Sequence, residues 1–132
     1  MLIESHLEVL RESARKIKEA VQQGLTINQR TLGFHSSAAA IDMLEIIFHQ
    51  RNLIDPGFVI KHEWFNSPKR IKEKFSFDFP QKEEILSLMC DIETARNKLC
   101  YGKKQTEEML EEVVNLFNQL TKIFLEVTKL EL

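Results

Sequence analysis

Apolar residues recur along most of this chain in steps of three and four, and that period admits one kind of element, the amphipathic helix. The first stretch runs Ile3, Leu7, Leu10, Ala14, Ile17, Val21 and closes at Gly24, a residue suited to the position just past a helix end. Thr26-Ile27-Asn28-Gln29 has the form of a capping box, which predicts a second helix from about Ile27. Along it Ile27, Phe34, Ile41 and Phe48 fall a heptad apart, with Ala38, Leu44 and Ile47 between, so a core stripe is expected as far as His49 or Gln50. The small run Ser36 to Ala40 leaves room for a neighbouring helix to approach, and Asp55-Pro56-Gly57 is a turn.

Residues 58–79 break the period. Phe58, Trp64, Phe65, Phe75, Phe77 and Phe79 alternate there with Lys61, Lys69, Arg70, Lys72 and Lys74, and Ser67-Pro68 opens a short helix of roughly Pro68 to Lys74. The basic and aromatic mixture fits two uses: stacking unpaired bases beside held phosphates, or plugging one end of a helical core while the lysines stay solvated. Burial of large aromatics in a folded chain favours the plug.

A third long helix follows Asp78-Phe79-Pro80, carries Ile85, Leu88, Met89, Ile92, Ala95 and Leu99, and ends at Gly102. The last starts near Thr106, with Glu107 and Glu108 at the positive end of its dipole. Its stripe of Met109, Val113, Leu116, Leu120, Ile123, Val127 and Leu130 is widened by Leu110, Val114, Phe117 and Phe124, which predicts a central place in the bundle or a subunit contact. With only four Gly and three Pro in 132 residues, the chain is expected to be all-α. The expected fold is one domain over residues 1–132: an antiparallel up-and-down four-helix bundle with a short extra helix between the second and third long ones.

A formal charge of −2 and a pI near 6.1 give no global attraction to nucleic acid, so any such role must rest on a local patch. Cys90 and Cys100 make neither a disulfide framework nor a four-ligand zinc set and read as buried free thiols. His6, His49 and His62 show no metal-ligand spacing, so no metal or cofactor is expected. The opening residues lack a signal-peptide pattern, and no apolar run nears the roughly 20 residues that span a bilayer; a cytoplasmic protein without membrane contact is expected.

The chemistry gathers at Arg96-Asn97-Lys98-Leu99-Cys100-Tyr101-Gly102, where the third long helix runs into the turn before the last, with Lys103 and Lys104 following. Taken singly these are ordinary helix-ending residues, cations at the negative end of a dipole and a stopping glycine. As a group they resemble the signature of the HEPN domains, in which Arg and usually Asn precede a His, often as Arg-Asn-x-Leu-x-His-Gly. Arg96, Asn97, Leu99 and Gly102 match in order and spacing, and the expected bundle resembles that family over most of the chain. Tyr101 stands where the His belongs.

The resemblance implies a homodimer whose paired motifs face each other, metal-independent cleavage of RNA in active members, and the company of a nucleotidyltransferase partner in toxin–antitoxin or defence systems. In such a site Arg neutralises the scissile phosphate and His moves the proton for attack by the ribose 2′-hydroxyl. A phenol with a reference pKa of about 10 is a poor base at neutral pH, so Tyr101 implies impaired or absent cleavage. The expected function is therefore binding of RNA or a nucleotide-like phosphate through Arg96, Asn97, Lys98, Lys103 and Lys104, with Arg96 and Tyr101 as a degenerate catalytic pair. Two other readings stand beside it: a bundle that serves only as a dimerisation or partner scaffold, and an active ribonuclease in which His35, from Arg30-Thr31-Leu32-Gly33-Phe34-His35, supplies the missing imidazole.

Overall fold

Helix ends fall where local chemistry stops or starts them. The computed structural model describes residues 2–132, and among these it is all-helical, with no strand. The long helices are α1 (Ile3–Gln23), α2 (Gln29–Gln50), α4 (Lys82–Tyr101) and α5 (Glu107–Thr128), and α3 (Pro68–Lys74) is the short one. Gly24 ends α1 at φ 123°, a conformation that favours glycine. Ser67 and Thr106 cap α3 and α5, their hydroxyls accepting from the N–H groups of Arg70 and Met109. Asn52, at φ 54°, turns the chain out of α2, and Leu53 N–H donates back to the Phe48 carbonyl at 2.9 Å. The Asp55-Pro56-Gly57 turn sits just beyond, with Phe58 N–H donating to the Asp55 carbonyl.

The capping box does not form. Residues Thr26–Asn28 make a turn of 3-10 helix first, Asn28 donates to the Gly24 carbonyl, and Gln29 is buried. The Gln29 amide donates to the carbonyls of Leu99 and Lys103 and accepts from Gln105 N–H at 2.8 Å. Those are orphan backbone groups at the end of α4 and the start of the next turn, so a side chain expected to serve its own helix instead sews α2 to the segment bearing Arg96 and Tyr101.

Helix α2 packs on α1, α4 and α5, and it takes the central place expected for the last helix. Being surrounded, it has no single apolar stripe: Leu32, Ala39, Ala40, Met43, Leu44, Ile46, Ile47 and Phe48 are all buried, whereas the heptad positions Ile27 and Phe34 are exposed. The buried stripe of α1 is likewise rotated from the expected seam, to His6, Leu10, Ser13, Ile17 and Ala20, leaving Val21 at the surface. On α5 the inner line is Leu110, Val113, Phe117, Leu120 and Phe124, drawn from both expected stripes, together with Thr128, which belongs to neither.

Residues 58–79 plug the core. Trp64, Phe65, Phe75 and Phe79 are buried, Phe75 stacks on Phe65 at 5.6 Å, and Phe48 of α2 lies edge-on to both Phe77 and Phe79 at about 5 Å. Two lysines lie over these rings, Lys74 at 5.0 Å from the Trp64 centroid and Lys82 at 6.0 Å from that of Phe79. Rings committed to each other in this way are not free to stack nucleobases. The segment's contribution to a site is a 3-10 turn, His62–Asn66, laid against α4. No helix among the described residues is long and apolar enough to cross a membrane.

Candidate functional site

Helix α4 presents a second line beside its apolar stripe, Leu86, Met89, Glu93, Arg96 and Cys100, at helical spacing toward α2 and the 3-10 turn. Glu93 is buried at 3% exposure and cannot stay charged there without partners. It has three. Ser37 of α2 donates its hydroxyl to Glu93 Oε2 at 2.9 Å, His62 Nδ1 lies 3.2 Å from the same oxygen, and Arg96 pairs with Oε1 at 3.3 Å. Burial pushes the Glu93 carboxyl up, but the hydrogen bonds from His62 and Ser37 and the charges of His62 and Arg96 outweigh it and hold it below its ordinary value.

This arrangement assigns the imidazole tautomer. Ser37 gives its proton to Glu93, so its Oγ, 2.9 Å from His62 Nδ1, accepts from that nitrogen. Both neighbours of Nδ1 are acceptors, so neutral His62 carries its proton there and keeps a lone pair on Nε2. The His62 side chain is 36% exposed and lines a cavity of about 440 Å³ together with Lys61, Asn66, Arg96 and Asn97. A buried carboxylate orienting a half-exposed imidazole beside a guanidinium can bind an anion and move one proton.

Arg96 is shared between two hollows. Its other side borders a cavity of about 320 Å³ formed with Arg30, Phe34, Cys100 and Tyr101, and its guanidinium stands 5.8 Å from the Tyr101 ring centre. Tyr101 is 74% exposed and belongs to this outer hollow, away from His62. Asn97 joins Arg96 in the inner cavity, donating weakly to Asn66 at 3.5 Å. Lys98, Lys103 and Lys104 line neither hollow. Lys98 and Lys103 point to solvent, and the Lys104 ammonium donates to the Thr26 carbonyl, bracing the turn.

His35 lines neither hollow. Its Nδ1 meets Ser13 of α1 at 3.1 Å and its ring stands edge-on to Phe34. Burial lowers its pKa, with Lys16 acting in the same sense against Glu12. The imidazole beside Arg96 is thus His62, from a segment the sequence left without regular structure. Glu93 left a legible trace, an acid on the inner line of a helix that must find partners; Ser37 and His62 left none.

The motif helix reaches α2 this closely because Gly33 has no side chain. A Cβ there would lie 2.7 Å from Leu99 Cβ and 3.1 Å from Cys100 Sγ. Leu99 Cβ is fixed to the α4 backbone, so Gly33→Ala must part the helices at a cost of roughly 1–3 kcal/mol, offset by about 1 kcal/mol of helix propensity. A net loss of up to about 2 kcal/mol is expected in urea unfolding. Burial raises the thiol pKa of both Cys90 and Cys100, against the charges of Arg96 and Arg30 at the latter, which favours the protonated form.

Comparison with protein-family models, with curated proteins and with solved structures returned no match to this chain.

Proposed function

We propose that this chain is a HEPN-like antiparallel bundle that holds an RNA or nucleotide phosphate at the cleft of Arg96. One observation carries the reading: Arg96 lines an open cavity with Lys61, His62, Asn66 and Asn97, a polar wall of mixed charge that also holds Glu63 and its own partner Glu93. Glu93 engages a single terminal nitrogen of a group that has five N–H donors, so it fixes the guanidinium plane and leaves donors for a phosphate. The resemblance in the Arg96 to Gly102 stretch supplies the ligand class, and with it a homodimer, a nucleotidyltransferase partner, a cytoplasmic setting and a place in a toxin–antitoxin or defence system, all by analogy. Exposed Phe34 and Tyr101, which line the outer hollow, are large groups of the kind a second copy would cover.

The His62–Glu93 pair favours a second reading, cleavage with His62 in the role that Tyr101 cannot fill. The two are separated by incubating the protein with labelled single-stranded RNA, with and without chelator. Binding that weakens with salt and falls about tenfold or more in Arg96→Ala, with RNA left intact, supports the binding reading. Cleavage that persists in chelator and is lost in His62→Ala, with binding retained, supports the second. Absence of binding even at low salt defeats both and leaves a scaffold.

A further inference from the structure

A second polar cluster lies where the first turns of α1 meet the last turns of α2. His6 and Glu45 are buried at 4% and 5% exposure, and His49, one turn beyond Glu45 on the same face of α2, stacks its ring on His6 at 5.8 Å. His6 Nδ1 lies 3.0 Å from Asp42 Oδ1, and Glu45 Oε1 accepts from Ile60 N–H at 3.0 Å. One ligand atom from each of His6, Glu45 and His49 lies within 4.8 Å of the other two, and His6 Nε2 stands 2.8 Å from Glu45 Oε2.

The two Nε2 atoms of His6 and His49 are buried without a hydrogen-bond partner. An ionised Asp42 can only accept, so His6 carries its proton on Nδ1 and a lone pair on Nε2. That nitrogen is close to Glu45 Oε2 but out of line for a hydrogen bond. A second proton on His6 would serve Glu45 at a poor angle and leave His49 Nε2 orphaned. Buried imidazole nitrogens that converge on a carboxylate without forming a hydrogen bond are satisfied by an electropositive centre between them.

We propose that His6, Glu45 and His49 form a binding site for a divalent transition metal ion, with zinc the best fit. Two imidazoles and one carboxylate are a zinc-type set with a fourth position open to water, and neither calcium nor magnesium selects imidazole. A tetrahedral ion with bonds near 2.0–2.2 Å sets its ligands roughly 3.3–3.5 Å apart, a spacing that small side-chain rotations reach from here. The outer contacts are already made: Asp42 orients His6, and Ile60 N–H holds Glu45 so that only Oε2 faces the ion. The same bond ties the ion to the segment that carries His62, since Ile60 borders the inner cavity. The site rests on its own residues and does not depend on the reading of Arg96.

The test is titration of the full chain with Co²⁺ after removal of bound metal. The expected result is a visible d–d band that saturates at one ion per chain and is displaced by Zn²⁺, with saturating Zn²⁺ raising the melting temperature by about 5 °C or more. His49→Ala and Glu45→Gln, each checked for folding by circular dichroism, should each weaken the metal at least tenfold to 100-fold. His49→Ala removes an unpartnered nitrogen and should fold without metal. Absence of the band and of any Zn²⁺-dependent melting shift overturns the site, as does binding that both variants leave unchanged.

Discussion

Phe48→Ala is expected to lower the free energy of unfolding by about 3–5 kcal/mol, read as a reduced midpoint in urea with the slope unchanged. Phe48 is completely buried on the central helix, and its ring touches Phe75, Phe77 and Phe79 at 4.9 to 5.8 Å between centroids. Truncation removes the transfer energy of the ring and opens a void between α2 and residues 75–79. The neighbouring rings cannot fill it by sliding, because Phe75 is held by Trp64 and Phe65 on its other side. The loss also reaches function. Trp64 and Phe65 belong to the 3-10 turn that begins with His62, so loosening Phe75 loosens the imidazole of the cleft. Phe48→Leu keeps most of the volume and should cost well under half as much.

Glu93→Ala is expected to cost about 3 kcal/mol at pH 7, since it leaves Arg96, His62 and Ser37 facing a space with no acceptor. Its signature is the pH dependence. The Glu93 carboxyl is held below its ordinary value of 4.5 in the folded protein, so in the interval below 4.5 the unfolded chain binds the proton more readily. The stabilisation from Glu93 is therefore complete above about pH 4.5 and drains away as pH falls through the folded value. Wild type and Glu93→Ala should differ fully at pH 7 and converge in strong acid, measured by urea unfolding across the range. His35, lowered from 6.5 by burial, adds an earlier loss as pH drops below 6.5, and this loss is common to both proteins. A difference that stayed constant down to strong acid would mean that Glu93 acts by packing rather than by charge.

Much of the helical layout is legible from local chemistry. Ser67-Pro68 placed α3 at Pro68–Lys74, Thr106 placed the start of α5, and Gly24 placed the end of α1, because caps and stops act over a few residues and are written in those residues. The arginine of the candidate site was legible too, since its neighbours on one helix carry the resemblance.

What tertiary packing decided is which face of each helix turns inward, and therefore which polar groups meet. The heptad period named Ile27 and Phe34 as core, yet α2, surrounded by α1, α4 and α5, buries nearly everything along its middle, while Phe34 near its start and Ile27 in the 3-10 turn before it are exposed. His6 and His49 are 43 positions apart in sequence, and no spacing rule joins them until α1 lies against α2. His62 reached Arg96 in the same way, carried by a turn whose position depends on the ring cluster beneath it. Sequence alone determined where the backbone coils, because hydrogen bonding within a helix is local. The sites were decided only when the helices packed, because a side chain's partners lie across the interface and are set by shape, down to the absent Cβ of Gly33.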